Sequence, residues 1–442
     1  MKSIPDFVQK YLQKFSINRW KIICADLSGI DNVIVIPAID EYQNIISLLD
    51  SISEMNGKYF SSSLFLFVIN NSASDLDEIK ENNKISMELI SKIIFKINEN
   101  DFLNKIIESN LRIALIDASS LGNELPEKDA GVGLARKIGM DTALNIFNYN
   151  SSLKKLLICL DADCIVNKNY LTAIVTHFNL NSFQGAVVRF AHDISGNDEN
   201  TKAIICYETF LRYYVLGLKY ADSPFALHTL GSTMICDVES YIKVDGMNKR
   251  KAAEDFYFLE KLAKHFFVQT INGTTITPSS RSSWRVPFGT GQRVNRFLQS
   301  SRDEYKLFNP ASFEILNNWL RIFNSQNILT AEEYLKEAEY IHIELKNFLI
   351  QKKFIESWNS IIGRSKSAEQ INKQKIFWFD GFNTLKLIHH LRDTSFPEIN
   401  MYEALDILFH LMNLNPEIKM DKIGVPDLII QKKYLNYLRE II

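Results

Sequence analysis

Cysteine is scarce in this chain. The five cysteines among 442 residues (Cys24, Cys159, Cys164, Cys206 and Cys236) are odd in number and form no Cys-x-x-Cys pair. That excludes a disulfide framework and points to free thiols in a reducing compartment. Long apolar runs are missing too: no stretch reaches the ~20 residues of a membrane-spanning helix. The opening Met1-Lys2-Ser3-Ile4-Pro5-Asp6 lacks the apolar core of a signal peptide. The chain therefore reads as cytoplasmic, with peripheral membrane contact through an amphipathic helix left open. Neither sign of charge dominates. A net charge of −2 provides no basic field to recruit nucleic acid or an anionic membrane. Internal repeats, low-complexity tracts, His-Glu-x-x-His and cysteine–histidine zinc spacings are all absent.

What is present fits a soluble globular protein, with 46% hydrophobic and 23% charged residues. The length exceeds what one ordinary core accommodates, so two domains, or one with an appendage, are expected. Residues 1–30 read as a helical lead-in. Val33–Pro37, stopped by its proline, Leu64–Ile69, Leu111–Ile116 and the run ending at Leu160 read as buried strands. Helical spacing follows Pro37 at Ile45, Leu48, Leu49 and Ile52, and recurs from Leu134 to Phe147. Ala186–Phe190 and Phe267–Ile271 add later strands. This alternation predicts an α/β fold with a mainly parallel sheet covered on both faces over residues 31–300. From 301 to 442 strand signals fade and glycine becomes rare. Ala331–Gln351, Lys375–Arg392 and Met401–Asn413 read as amphipathic helices of a C-terminal helical domain.

The most informative segment is Leu156-Leu157-Ile158-Cys159-Leu160-Asp161-Ala162-Asp163-Cys164. An apolar strand runs into two carboxylates spaced i, i+2, which alternation places on one face at the strand's end. Their mutual repulsion calls for a cation or hydrogen-bond donors. At the carboxyl end of a strand in an open α/β sheet, the expected visitor is a divalent metal carrying a nucleotide's phosphates. The bland alternative is a polar loop with two solvated aspartates.

Several segments together resemble family-2 glycosyltransferases of the GT-A fold. Val33 to Asn44 looks like that family's opening "VVIPAYNE…N", with Ile39-Asp40 in place of Tyr-Asn. The resemblance implies that Pro37, Ala38, Asp40 and Glu41 hold the nucleotide base and ribose. Asn70-Asn71-Ser72-Ala73-Ser74-Asp75 looks like "DDGSTD", with Asn70 and Asn71 where aspartates are usual; the resemblance implies that their amides contact the donor's base or ribose. Gly131 to Gly139 is similar to the "G…AARN.G" helix; its glycines can admit phosphate, and Arg136 can pair with phosphate or with the metal-site carboxylates. Asp161-Ala162-Asp163 matches the DXD motif, which implies that Asp163 binds Mn²⁺ or Mg²⁺ and that Asp161 contacts the ribose or a metal-bound water. Gly231-Ser232-Thr233 and Val244-Asp245-Gly246-Met247 resemble the acceptor-side strand and "GGF" turn. Ala253-Glu254-Asp255-Phe256 matches "aEDxdl", which assigns Asp255 as general base supported by Glu254. Lys249, Arg250 and Lys251 are placed to keep Asp255 ionised, or form a solvated basic turn.

Arg293-Val294-Asn295-Arg296-Phe297 is a degraded "QxxRW". The segment before it is a candidate lid, in which Trp284 can stack on a sugar and Arg281, Arg285 or Arg293 can hold diphosphate. His192 and His228 fall near strand ends as candidate metal ligands, His192 the one carried forward.

The resemblance implies a metal-dependent glycosyltransferase taking a UDP- or GDP-sugar to a carbohydrate, lipid-linked or small-molecule acceptor, inverting through Asp255. A retaining enzyme of the same fold would need no base there. A nucleotidyltransferase would carry a glycine-rich basic loop after the first strand, where this chain has Ala38-Ile39-Asp40-Glu41. A non-catalytic nucleotide-sugar-binding protein would not need the acids at 161, 163 and 255.

Overall fold

A computed structural model describes residues 4–17, 19–181, 183–281, 289–418 and 424–442. They form two compact units. The first comprises residues 1–193 and 229–292, the second 194–228 and 293–442. The second unit thus takes in a segment from inside the expected 31–300 domain.

The first unit is built on a nine-stranded sheet, counted among the described residues. Its strands are β1 (Ile22–Ile23), β2 (Asn32–Ala38), β3 (Ser63–Asn70), β4 (Ile113–Ala118), β5 (Leu156–Cys159), β6 (Ile165–Val166), β7 (Gly185–Phe190), β8 (Met234–Asp237) and β9 (Val268–Thr277). Their spatial order is β1-β4-β3-β2-β5-β8-β7-β9-β6. β2, β3, β4, β5, β7 and β9 run one way, while β1, β6 and β8 oppose them. The sheet is therefore mainly parallel. Every residue of β2, β3 and β5 is buried, as expected of parallel strands covered on both faces.

Among the strand boundaries that differ from the sequence reading, two bear on the site. Pro37 lies inside β2, paired with Val68 of β3. The carbonyl of Val35 accepts from Leu160 on the β5 side, so position 37 also faces that side, beyond the last residue of β5. The missing proline N–H therefore breaks no ladder bond. β5 ends at Cys159, so Asp161 and Asp163 sit in a turn rather than on a strand face. That turn is closed by the Cys164 N–H donating to the Asp161 carbonyl at 3.2 Å.

Helices α1 (Asp6–Phe15), α2 (Tyr42–Ser53), α3 (Asp77–Ile94), α4 (Asp101–Glu108), α5 (Val132–Ala143) and α6 (Tyr170–Leu180) connect or flank these strands. α5 is buried along most of its length and lies against β2 and β3. Gly139 makes the approach possible: a Cβ there would stand 2.4 Å from Val35 Cγ1 and 3.2 Å from Val68 Cγ2.

In the second unit, α7 (Glu199–Tyr220) shares a core with helices Ala311–Phe323, Ala331–Ile341, Ile343–Gln351, Phe354–Arg364, Gly381–Thr394, Met401–Leu411 and Leu428–Ile441. This explains why 194–228 belongs there. Gly217 of α7 meets Phe313, and Tyr213 and Leu216 join the cluster around Trp319. Two expected helices are divided. His342 ends one helix and caps the next by accepting the Glu344 N–H at its Nδ1, 3.1 Å away. Asp380 likewise starts a new helix by accepting the Asn383 N–H at 2.9 Å. Caps of this kind break a run whose apolar spacing alone continues. Among the described residues, no helix is long and apolar enough to cross a membrane.

The α5–sheet contact gives a direct test. Gly139→Val inserts branched atoms where Val35 already stands. It should lower stability by about 1–3 kcal/mol, read as a shift of the urea midpoint at unchanged slope.

Candidate active site

β2, β3 and β5 are parallel neighbours, so their carboxyl ends share one edge of the sheet. Asp40 and Glu41 follow β2, Asn71 to Asp75 follow β3, and Asp161 and Asp163 follow β5. This is the edge at which open α/β sheets bind ligands. The fold therefore brings the three expected donor-side segments together.

The turn after β2 carries Asp40 in the left-handed region, φ 56°. Its N–H donates to Asn83 Oδ1 at 2.9 Å. Asn70 donates through Nδ2 to the carbonyls of Ala38 and Val68, at 3.0 and 3.1 Å. Asn71 donates to the carbonyls of Ser72 and Ser119, at 3.0 and 3.3 Å, and accepts from Asn83 Nδ2 at 2.8 Å. A carboxylate has no such donors. The two asparagines tie the ends of β2, β3 and β4 together, a task that aspartates at these positions could not perform.

Arg136 lies on α5 and is 2% exposed. Its guanidinium bridges the carboxylates of Asp161 and Glu254. It reaches them because Gly231 has no side chain: a Cβ there would lie 2.2 Å from Arg136 Nη2. Arg136 is thus committed to carboxylates rather than to a phosphate. The glycines of this segment serve the same packing. A Cβ on Gly131 would meet Lys251 Cα at 2.8 Å, and one on Gly133 would meet the Arg250 carbonyl at 2.3 Å. They admit the 250–251 backbone, a packing role that the sequence reading did not give them.

Helices α8 (Val238–Lys243) and α9 (Glu254–His265) complete the site. Ala253, left-handed at φ 57°, turns the chain into α9, so Glu254 and Asp255 open the helix. Asn248 Nδ2 donates to the Glu254 carbonyl at 2.9 Å and fixes that turn. Burial pushes the Glu254 carboxyl up to about 7, against the opposing pull of Arg136 and with a push from Asp255. Burial also raises the Asp255 carboxyl, again opposed by Arg136. Asp255 Oδ1 accepts the Phe256 N–H at 2.7 Å. The cation that acts most strongly on Asp255 is Arg136, while Lys249, Arg250 and Lys251 are exposed. Of the two alternatives for these residues, their exposure fits the solvated basic turn.

Glu41, 8% exposed, is paired with Arg281, whose Nη2 also lies 3.8 Å from Asp163 Oδ2. The side chains of Asp161 and Asp163 keep 33% and 27% exposure. Among the described residues no group of three or more metal-ligating side chains forms. The described residues therefore offer a cation two carboxylates at this turn, which suits Mg²⁺ or Mn²⁺ completed by phosphate oxygens and water. His192 follows β7, is buried, and stands edge-on to Phe190 with ring centroids 5.7 Å apart; it joins no such group. His228 belongs to the second unit, where burial and Arg212 push it down to about 3. Arg293 also belongs to the second unit; it pairs with Glu304 and its guanidinium lies 4.1 Å from the Phe210 ring centroid. Trp284 and Arg285 lie outside the described residues.

Sequence reasoning missed a buried cluster on another part of α5. Asp141 Oδ1 accepts from the hydroxyls of Tyr11 at 3.0 Å and Tyr241 at 2.7 Å, and Lys137 pairs with Asp141 at 2.9 Å. The i, i+4 spacing of Lys137 and Asp141 was visible; the tyrosines, 130 and 100 residues away, carried no signal.

No family model matches the chain, and no curated protein matches it. Among solved structures, S. aureus TarS 1–349 is similar at 11% identity over 83% of this chain and 92% of that one, with a TM-score of 0.37. The same protein in complex with UDP-GlcNAc gives 11% over 79% and 91%, TM-score 0.39. Glucosyl-3-phosphoglycerate synthase from Mycobacterium tuberculosis, in complex with Mn²⁺, UDP and phosphoglyceric acid, gives 14% over 63% and 82%, TM-score 0.36. Likenesses this faint carry no argument, and the functional reading rests on the chain's own residues.

The Arg136 bridge has a testable signature. Arg136→Met leaves Glu254 buried without its cation and should cost about 3–5 kcal/mol near pH 8. Without Arg136 the Glu254 carboxyl rises further, and a raised carboxyl destabilises the fold only above its unfolded pKa. Denaturation midpoints should therefore show a smaller deficit at pH 5 than at pH 8; equal deficits would contradict the assignment.

Proposed function

We propose that the chain is a glycosyltransferase that moves a sugar from a UDP- or GDP-linked donor to an acceptor hydroxyl, with inversion. The acceptor is a carbohydrate, a lipid-linked molecule or a small molecule. The observation that carries this reading is the Asp161–Arg136–Glu254 bridge. It joins the loop after β5 to the start of α9, so a donor-binding carboxylate pair and the candidate base Asp255 share one site.

In this reading the donor lies across the carboxyl ends of β2, β3 and β5, with its ribose near Asp40, Glu41 and Asp161. Asp163, with Asp161 beside it, would hold Mn²⁺ or Mg²⁺, which supplies charge neutralisation for the departing diphosphate. Asp255 takes the proton of the acceptor hydroxyl as its oxygen forms the new bond to the anomeric carbon. A raised carboxyl pKa makes the deprotonated Asp255 a stronger base than a solvated aspartate. Arg136 limits that rise and keeps the charge-bearing form accessible. Glu254, tied to Arg136, positions the helix start rather than the substrate.

Two measurements test this. Asp255→Asn nearly preserves shape and cannot take a proton, so turnover should fall by about 10²–10⁴ with donor affinity little changed. Near-normal turnover, or a glycoside of retained configuration by NMR, would favour the retaining alternative. Calorimetry should also show UDP or GDP binding much more weakly with EDTA than with Mn²⁺, because Asp161 and Asp163 repel a bare diphosphate. Equal affinities would remove the metal assignment.

A further inference from the structure

Resting on the donor-site reading above, we propose that Arg281 is a resident counter-cation of the metal loop. It holds Glu41 and Asp163 together until a divalent cation arrives with a diphosphate, and its guanidinium then moves from Asp163 to that diphosphate.

Glu41 follows β2, Asp163 follows β5 and Arg281 follows β9, so three distant segments meet in one ion-paired group. Glu41 is nearly buried, and an ionised carboxylate in that position needs a partner. Asp163, with its side chain 27% exposed, is the carboxylate that the reading gives to the metal. A guanidinium 3.8 Å from it repels any cation approaching the same oxygens. A metal arriving alone must displace Arg281 and leave it with one anion fewer. A metal arriving with a diphosphate brings Arg281 a new partner, and the planar guanidinium suits phosphate as well as carboxylate. Metal and nucleotide then each strengthen the binding of the other, by the same factor.

Arg136 and Arg281 differ in the way this requires. Arg136 is sealed, 2% exposed and seated against Gly231. Arg281 keeps 35% of its side chain exposed and makes its weaker contact, not its stronger one, to Asp163. It can leave Asp163 while remaining anchored near Glu41.

The test is Mn²⁺ binding without nucleotide, followed by electron paramagnetic resonance of the free ion, for wild type and Arg281→Gln. The variant should bind Mn²⁺ alone about two- to fivefold more tightly, the scale of a partly exposed charge pair. It should bind UDP in the presence of Mn²⁺ more weakly, so that the mutual strengthening of metal and nucleotide shrinks. Arg281→Lys, which keeps the charge, should retain the weak donor-free Mn²⁺ binding of wild type. Unchanged Mn²⁺ affinity in Arg281→Gln, including no measurable binding by either protein, would overturn the proposal. Failure of wild type to bind UDP with Mn²⁺ present would instead overturn the donor-site reading, while the donor-free titration still decides the role of Arg281.

Discussion

The site depends on one buried guanidinium. Arg136 is removed from water, and its charge is tolerable only because two carboxylates meet it. Those carboxylates come from places far apart in the chain, the loop after β5 and the first turn of α9. Bringing them to one cation requires α5 to lie close on the sheet, which Gly139 permits. It requires the 250–251 backbone to lie close on α5, which Gly131 and Gly133 permit, and it requires Gly231 to have no side chain in the guanidinium's way. Four glycines scattered through the chain thus serve a single ion-paired bridge. Each is a position where a Cβ would meet occupied space.

The same principle governs the second carboxylate pair. Negative groups crowd the carboxyl ends of the strands: Glu41, Asp161, Asp163, Glu254 and Asp255. Among the described residues two arginines pair with four of them, one fixed and one partly exposed. Burial adds a second effect, a raised proton affinity at two of these carboxyls. Glu254 is carried to about 7 and Asp255 is shifted the same way, because burial outweighs the attraction of Arg136. Groups with pKa values moved in this manner cluster where proton transfer is useful, although structural ion networks shift them as well. Here the shift coincides with the helix start that faces the donor-side loop, which is why it bears on mechanism.

Much of the α/β unit was legible in the sequence because its strands are buried on both faces. Val33 to Ile36, Leu64 to Ile69 and Leu156 to Cys159 are continuous apolar runs of strand length, and nothing competes with that pattern. Asp161 and Asp163 were legible as a pair, but not their partners. Arg136 looked equally suited to phosphate or carboxylate until burial committed it. Arg293 looked like a diphosphate ligand from its neighbours in sequence, whereas Glu304 claims it. Residues 194–228 looked like a continuation of the α/β domain because local spacing does not say which core a helix joins. Phe313 against Gly217 decides that, and the contact spans 96 residues of sequence.

The asparagines at 70 and 71 show why a motif read by similarity can shift its chemistry while keeping its place. Their amides are used on the backbone, holding the ends of three neighbouring strands in register and, through Asn83, fixing the left-handed Asp40. A turn built this way is rigid before any ligand arrives, which lowers the ordering cost of binding. It also leaves no carboxylate at 70 or 71 to discriminate a nucleobase. Under the proposed function, base selection must then come from other groups at this edge, backbone N–H and C=O among them. Asp75 in this loop and Glu127, which reaches it, are occupied with the N–H groups of Ser72 and Ser74. Substituting either would disturb the turn itself before it altered any contact with a base.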